Sequence, residues 1–189
     1  MNSLKKPLIL ASNSPRRKEL LTNAGYNFKV DIITIDETFP VTTPPFEVAS
    51  YISEQKAKAF LGKYEDHVIL TADTVVILDN TILGKPKDLP EAKSMLRSLS
   101  GKTHQVVTAF SLLYNQELNT SYDIAQVQFK DLTDDEINYY VDRFKPLDKA
   151  GAYGIQEWIG MTAIQKMEGS FYTIMGLPIH LVYQALKKY

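Results

Sequence analysis

Residues 7–25 read PLILASNSPRRKELLTNAG, and the order of residue types in this stretch decides the fold class. An apolar run over 7–12 gives way to small hydroxyl and amide residues. Ser14-Pro15 then has the form of an N-cap followed by proline at the first helical position. The helix so begun is expected to reach Ala24 and stop at Gly25, with Leu20, Leu21 and Ala24 on its buried face. A strand that passes through a tight loop into a helix is the opening unit of an α/β protein. Outward from it, 27–35 alternate as a strand, and 45–62 carry Phe46, Ala49, Ile52 and Ala59 at helical spacing. Residues 67–78 form an apolar strand interrupted by Ala72, Asp73 and Thr74. Asp79-Asn80 reads as a turn before a short strand at 81–83, and Leu89 to Leu99 as a helix stopped by Gly101. Residues 104–114 and 121–130 read as paired strands around an Asn115–Asn119 connection. Thr133-Asp134-Asp135-Glu136 is a capping box opening a helix to Phe144, a further strand is expected near 161–167, and a last helix from 178. Strands and helices alternating, with hairpins between, predict an α/β fold whose mixed parallel and antiparallel sheet is flanked by helices.

Composition narrows the function. The 189 residues suffice for one large domain or two small lobes, and no repeat or disordered linker divides them, so 1–189 is read as a single domain. The 21 Lys and Arg nearly cancel the 22 Asp and Glu, which disfavours nucleic acid and an anionic membrane as partners and makes any phosphate site a local one. With no cysteine there is no disulfide, thiolate metal site or thiol nucleophile, and a reducing compartment, the cytoplasm, is the expected location. The apolar run from Leu8 is too short for a signal peptide or a membrane span.

Several residues could carry chemistry. In SNSPRR, 12–17, backbone N–H groups and the positive end of a helix dipole can attract an anion that Arg16 and Arg17 grip as a fork. An ordinary Ser-Pro helix start with solvated arginines reads equally well. Asp73 sits mid-strand, where a carboxylate is costly unless a metal or hydrogen bonds compensate it. Glu37, in the acidic Asp36-Glu37 loop, could bring a second carboxylate to the same divalent ion, with Lys56 and Lys85 holding phosphate charge. The plainer readings are a structural carboxylate for Asp73, a solvated helix face for Lys56 and a turn lysine for Lys85. GKT at 101–103 is not a phosphate-binding P-loop, because that pattern needs glycine where Leu96 stands and a strand where a helix is expected. His67, His104 and His180 lack metal-ligand spacing, and no serine-hydrolase elbow or zinc-protease motif is present.

Taken together, ASNSPRR at 11–17, Asp36-Glu37, EQKA at 54–57, ADT at 72–74, GKP at 84–86, LSGKTHQV at 99–106, PLDKAGAYGIQ at 146–156, and GS with GLP at 169–178 resemble the Maf family. These are nucleotide pyrophosphatases also named after inhibition of septum formation, and the resemblance spans essentially the whole chain. It implies two lobes with the substrate in a cleft between them, a homodimer, and a divalent cation such as Mg, Mn or Co. Residue by residue, it gives Asp73 the role of proton acceptor for the attacking water. Ser12, Arg17, Glu37, Lys56 and Lys85 match positions that handle phosphate and metal. Arg16, Thr74 and Gln156 match the marks of the branch that cleaves dTTP and UTP to the monophosphate and pyrophosphate. The pattern departs from the family's at Gln55 and over 160–170. A nucleotide-binding regulator of cell division with little turnover is the alternative reading.

Overall fold

A computed structural model describes residues 4–189 of the chain. Strand β1 is Leu8–Leu10, and helix α1 is Pro15–Asn23 with Ser14 as N-cap, its hydroxyl accepting from the Arg17 N–H. Leu20 and Leu21 are buried and Gly25 follows at φ +81°, as the sequence implies, whereas Ala24, expected on the buried face, is the half-buried C-cap. Strand β2, Phe28–Val30, is much shorter than the nine residues expected. Its length is set by its partner: it pairs in parallel with three-residue β1, Leu8 opposite Phe28 and Leu10 opposite Val30. Residues 31–44 then run without helix or strand.

Pro44 and Pro45 open a 3-10 turn, Pro45–Glu47, ahead of helix α2, Val48–Lys58. The buried face of this segment is Val48, Ala49, Ile52, Ser53, Ala57 and Phe60, whereas Phe46 is exposed and Ala59 half-buried. The proline turn precedes the helix and rotates Phe46 out of its register. Strand β3, Val68–Leu78, is buried along almost its whole length, and antiparallel β4, Thr81–Leu83, returns on it. The turn between them, Asp79 and Asn80 at φ 50° and 63°, is the doubly left-handed kind that matches strand twist. Helix α3, Leu89–Leu99, is capped by Asp88. Strands β5, Thr103–Tyr114, and β6, Glu117–Phe129, form a hairpin whose turn is only Asn115-Gln116, at φ 50° and 65°. The longer polar connection expected at 115–119 is therefore strand from Glu117 onward. The polar residues there lie on a half-exposed strand, which polarity alone cannot tell from a loop.

The capping box at Thr133 and Glu136 opens α4, Asp134–Phe144. After it come α5, Trp158–Ala163, β7, Ile164–Glu168, α6, Phe171–Met175, and α7, Ile179–Leu186. The sheet order is β2-β1-β3-β5-β6-β7, with β4 on β3; β1 is parallel to β2 and β3, and β7 antiparallel to β6. This is the mixed α/β sheet expected.

The chain divides into two compact units. One comprises residues up to Asp73 with Thr108–Asp123 and Gly176–Tyr189, and has a core of Ile9, Ala11, Ala57, Phe60, Ile69 and Leu113. The other comprises Thr74–Val107 and Ile124–Met175. In it α3 packs on α4, burying Leu96 and Leu99 beside Ile137, Tyr140 and Val141. Also in this unit, His104 donates or accepts at Nε2 with the Tyr153 hydroxyl, 2.8 Å away, edge-on to the rings of Phe129 and Tyr153. Burial pushes the His104 pKa down to about 4, so the ring is neutral at pH 7.

Candidate active site

The first unit gathers five of the residues singled out in the sequence. The loop after β1 brings Ser12, buried, to the start of α1. Its hydroxyl accepts from the Ser14 N–H at 3.2 Å and from Arg17 Nη1 at 3.3 Å. Two helix-start amides are thus taken up by the loop's own hydroxyls, Ser14 N–H by Ser12 and Arg17 N–H by Ser14. This helix start therefore offers fewer bare backbone N–H groups than the sequence suggests.

Arg17 is fixed at three points. Its Nε donates to the Gly176 carbonyl at 2.8 Å, and Nη1 donates to the Ala72 carbonyl at 2.9 Å as well as to Ser12. Desolvation lowers the Arg17 pKa from its ordinary value, and the neighbouring Asp73 charge opposes that shift. A guanidinium starts so high that it stays cationic regardless. Neither carbonyl is signalled in the sequence, since Gly176 lies 159 residues away and a backbone oxygen leaves no mark in residue type.

Beside Ala72, Asp73 is 9% exposed in the middle of β3. Lys56 from α2 donates to Asp73 Oδ1 at 2.7 Å and pairs with Glu37 Oε1 at 2.9 Å. One ammonium therefore compensates both carboxylates, which answers the cost of burying Asp73. The side chains of Lys56 and Asp73 are mostly covered, whereas that of Glu37 is 48% exposed on the 31–44 segment.

A buried chain of hydroxyls explains why Lys56 arrives there. Ser53, one helical turn before Lys56, is 2.7 Å from the Ser111 hydroxyl, and Thr71 donates to the Ser53 carbonyl at 2.7 Å. Ser111 continues the chain to Thr120 at 2.9 Å. Thr71 and Asp73 share a face of β3 by the two-residue period of a strand, so fastening Ser53 to Thr71 aligns Lys56 with Asp73.

The other candidates sit differently. Arg16 is half-buried on the first turn of α1. Thr74, next along β3, is half-buried and belongs to the second unit, as do Lys85, exposed between β4 and α3, and Gln156, exposed in the segment before α5. Among the described residues no three His, Asp or Glu side chains group as metal ligands. No helix of the described residues is long and apolar enough to cross a membrane.

A clamped arginine at a helix start, next to a lysine poised between two carboxylates, brings two cationic and two acidic side chains together in one unit of an α/β protein. The chain belongs to the Maf-like protein family, whose model matches residues 7–189. It is 47% identical over 194 residues to a dTTP/UTP pyrophosphatase of Porphyromonas gingivalis, covering 100% of this chain and 98% of that protein. A dTTP/UTP pyrophosphatase of Cytophaga hutchinsonii is 45% identical over 181 residues, 96% of this chain and 83% of that one. A dTTP/UTP pyrophosphatase of Phocaeicola vulgatus is 45% identical over 189 residues, 99% of this chain and 98% of that one.

Proposed function

We propose that this chain hydrolyses dTTP and UTP to the nucleoside monophosphate and pyrophosphate, as the names of its full-length relatives state for them. The observation that carries the reading is the junction of Arg17, Asp73, Lys56 and Glu37, which joins a cationic grip for phosphate to a carboxylate suited to activating water. In the step proposed, a water oxygen bonds to the α-phosphorus while the bond from that phosphorus to the α,β-bridging oxygen breaks. The bond's electron pair leaves with pyrophosphate, and Asp73 takes the proton from the water. Arg17 and Lys56 meet negative charge growing on the phosphate oxygens, which preorganised cations in a partly dry site stabilise strongly. Lys85 is assigned to the same charge, and Ser12 to holding Arg17 and the phosphate.

Glu37 and Asp73, which share the Lys56 ammonium in this structure, would with phosphate oxygens and water supply the oxygen donors that a cation of the magnesium type takes. Glu37 and Asp73 would hold it, and it would neutralise charge on the pyrophosphate portion. Gln156 is assigned to the base: its amide can accept from N3–H and donate to O4 of uracil or thymine. Arg16 and Thr74 are assigned to base preference with it. The whole chain is taken as one catalytic domain acting in the cytoplasm as a homodimer, which light scattering of the purified protein tests.

A panel of nucleoside triphosphates with a divalent cation, followed by product identification, tests the activity. The proposal requires pyrophosphate in molar excess over protein from UTP and dTTP. Nucleotide bound without release of product would favour the regulatory reading, and orthophosphate as first product would contradict the chemistry.

A further inference from the structure

From Lys149 to Ile159 only Gln156 is exposed, and the turn that carries it is tied down from below. The Glu157 N–H donates to the Gly154 carbonyl at 3.0 Å, which puts Ile155 and Gln156 at the turn's two central positions. Entering the turn, the Gly154 N–H donates to the Tyr140 hydroxyl at 3.0 Å. Leaving it, the Glu157 carboxylate accepts from that same hydroxyl and pairs with Lys149 at 3.1 Å. One phenol, from the fully buried Tyr140 of α4, thus holds both ends. Burial and the Glu157 hydrogen bond raise the Tyr140 pKa far above its ordinary value, which keeps the phenol a neutral donor.

Lys149 is itself buried, at 8% exposure, and also pairs with Asp148 at 2.7 Å. Glu157 directly precedes α5 yet makes no side-chain bond to the helix start, so its carboxylate serves the turn and not the helix. Packing closes the remaining freedom. A Cβ on Gly154 would lie 2.9 Å from the Glu157 carboxylate carbon and 3.0 Å from Lys149 Cε, and one on Gly160 would overlap the Ile155 carbonyl.

Ordering a buried lysine, a half-buried glutamate and a buried phenol beneath one exposed glutamine is more than a surface turn requires. We propose that Tyr140, Glu157 and Lys149 are positioning residues for base recognition, fixing the turn so that the Gln156 amide meets a pyrimidine edge at one reach and one angle. The inference rests on the reading of Gln156 as the residue that meets the base. An amide reads either hydrogen-bonding pattern after a flip, so discrimination depends on how rigidly its surroundings hold it. Recognition groups need placement to within about half an ångström, and a displaced contact loses the difference between substrates before it loses binding to all of them.

The test measures kcat/KM for UTP, CTP and GTP, with a melting curve for every protein, in the parent and in Tyr140→Phe, Glu157→Gln, Gln156→Leu and the double variant Tyr140→Phe/Gln156→Leu. Tyr140→Phe and Glu157→Gln should each cut the UTP-to-CTP preference roughly tenfold, with a smaller loss on GTP than on UTP. Adding Tyr140→Phe to Gln156→Leu should cost the preference nothing more, because the residue being positioned is already gone. A loss equal across the three nucleotides, or an additive double variant, would show a merely structural network and overturn the proposal. If Gln156→Leu alone leaves the preference intact, the reading of Gln156 fails and this inference with it. If Gln156→Leu abolishes the preference while folded Glu157→Gln and Tyr140→Phe keep it, only the positioning role falls. Should Tyr140→Phe not fold, Glu157→Gln, which keeps the side chain's shape and removes the charge that pairs with Lys149, decides the matter.

Discussion

Replacing Asp73 by Asn separates the chemical use of this carboxylate from its structural use, because the two losses differ in size. Asn has nearly the same shape, so no void opens in β3, and the amide oxygen can still accept from Lys56, now 2.7 Å from Oδ1. Lys56 also keeps Glu37 at 2.9 Å, so the ammonium is not stranded. What folding loses is the difference between a charge-assisted and a neutral hydrogen bond, about 1–2 kcal/mol. For a chain of this length that lowers the melting temperature by roughly 2–8 °C. What catalysis loses is the proton acceptor, which is worth about 10²–10⁴ in rate, or roughly 3–5 kcal/mol. Turnover should therefore fall at least about 100-fold in a protein that still melts cooperatively. Pyrophosphate release from UTP at saturating nucleotide measures the first quantity, and circular dichroism against temperature the second. Turnover within about tenfold of the parent, or a rate loss no larger than the stability loss, would refute the assignment and make Asp73 a structural partner of Lys56.

Three further outcomes follow from the same geometry. Arg17→Ala should cost about 3–4 kcal/mol in kcat/KM, and Arg17→Lys should recover little of it, because an ammonium cannot reach Gly176, Ala72 and Ser12 as the fork does. Lys85→Ala should lower kcat/KM on a similar scale while leaving the melting temperature unchanged, since the residue is exposed; unchanged activity would return it to a turn lysine. His104, held neutral with a pKa of about 4 against an ordinary 6.5, makes the unfolded chain bind more protons between those values. The His104 contribution to stability should accordingly fall by up to about 3 kcal/mol as pH drops from 6.5 to 4, a slope that denaturant midpoints at three pH values would show as a difference between the parent and His104→Gln.

The fold was legible wherever a local signal coincided with a strong element. The Ser14-Pro15 start, the Thr133 capping box, helix α3 ahead of Gly101 and the turn at Asp79-Asn80 all depend on residues close in sequence. Errors fell where a neighbour distant in sequence sets the length. Strand β2 stops with its three-residue partner β1, and the start of β6 is fixed by pairing with β5 across a two-residue turn. Helices α5 and α6, of six and five residues, are too short to show a period. At the candidate site, residue type and motif pointed to Ser12, Arg17, Glu37, Lys56 and Asp73, and these do converge. The partners that hold them were not legible. The carbonyls of Ala72 and Gly176 carry no side-chain signature, and Ser53, Thr71 and Ser111 look like any hydroxyls until the fold stacks them.

Attack of water at the α-phosphorus leaves a mark that oxygen labelling reads in the products. UTP turned over in water enriched in oxygen-18, with the products weighed by mass spectrometry, should place one heavy oxygen in the monophosphate and none in the pyrophosphate. Label in the pyrophosphate would mean attack at the β-phosphorus. Label in orthophosphate, with diphosphate as the nucleotide product, would mean attack at the γ-phosphorus. Either result would contradict the mechanism built here on Asp73, Arg17 and Lys56.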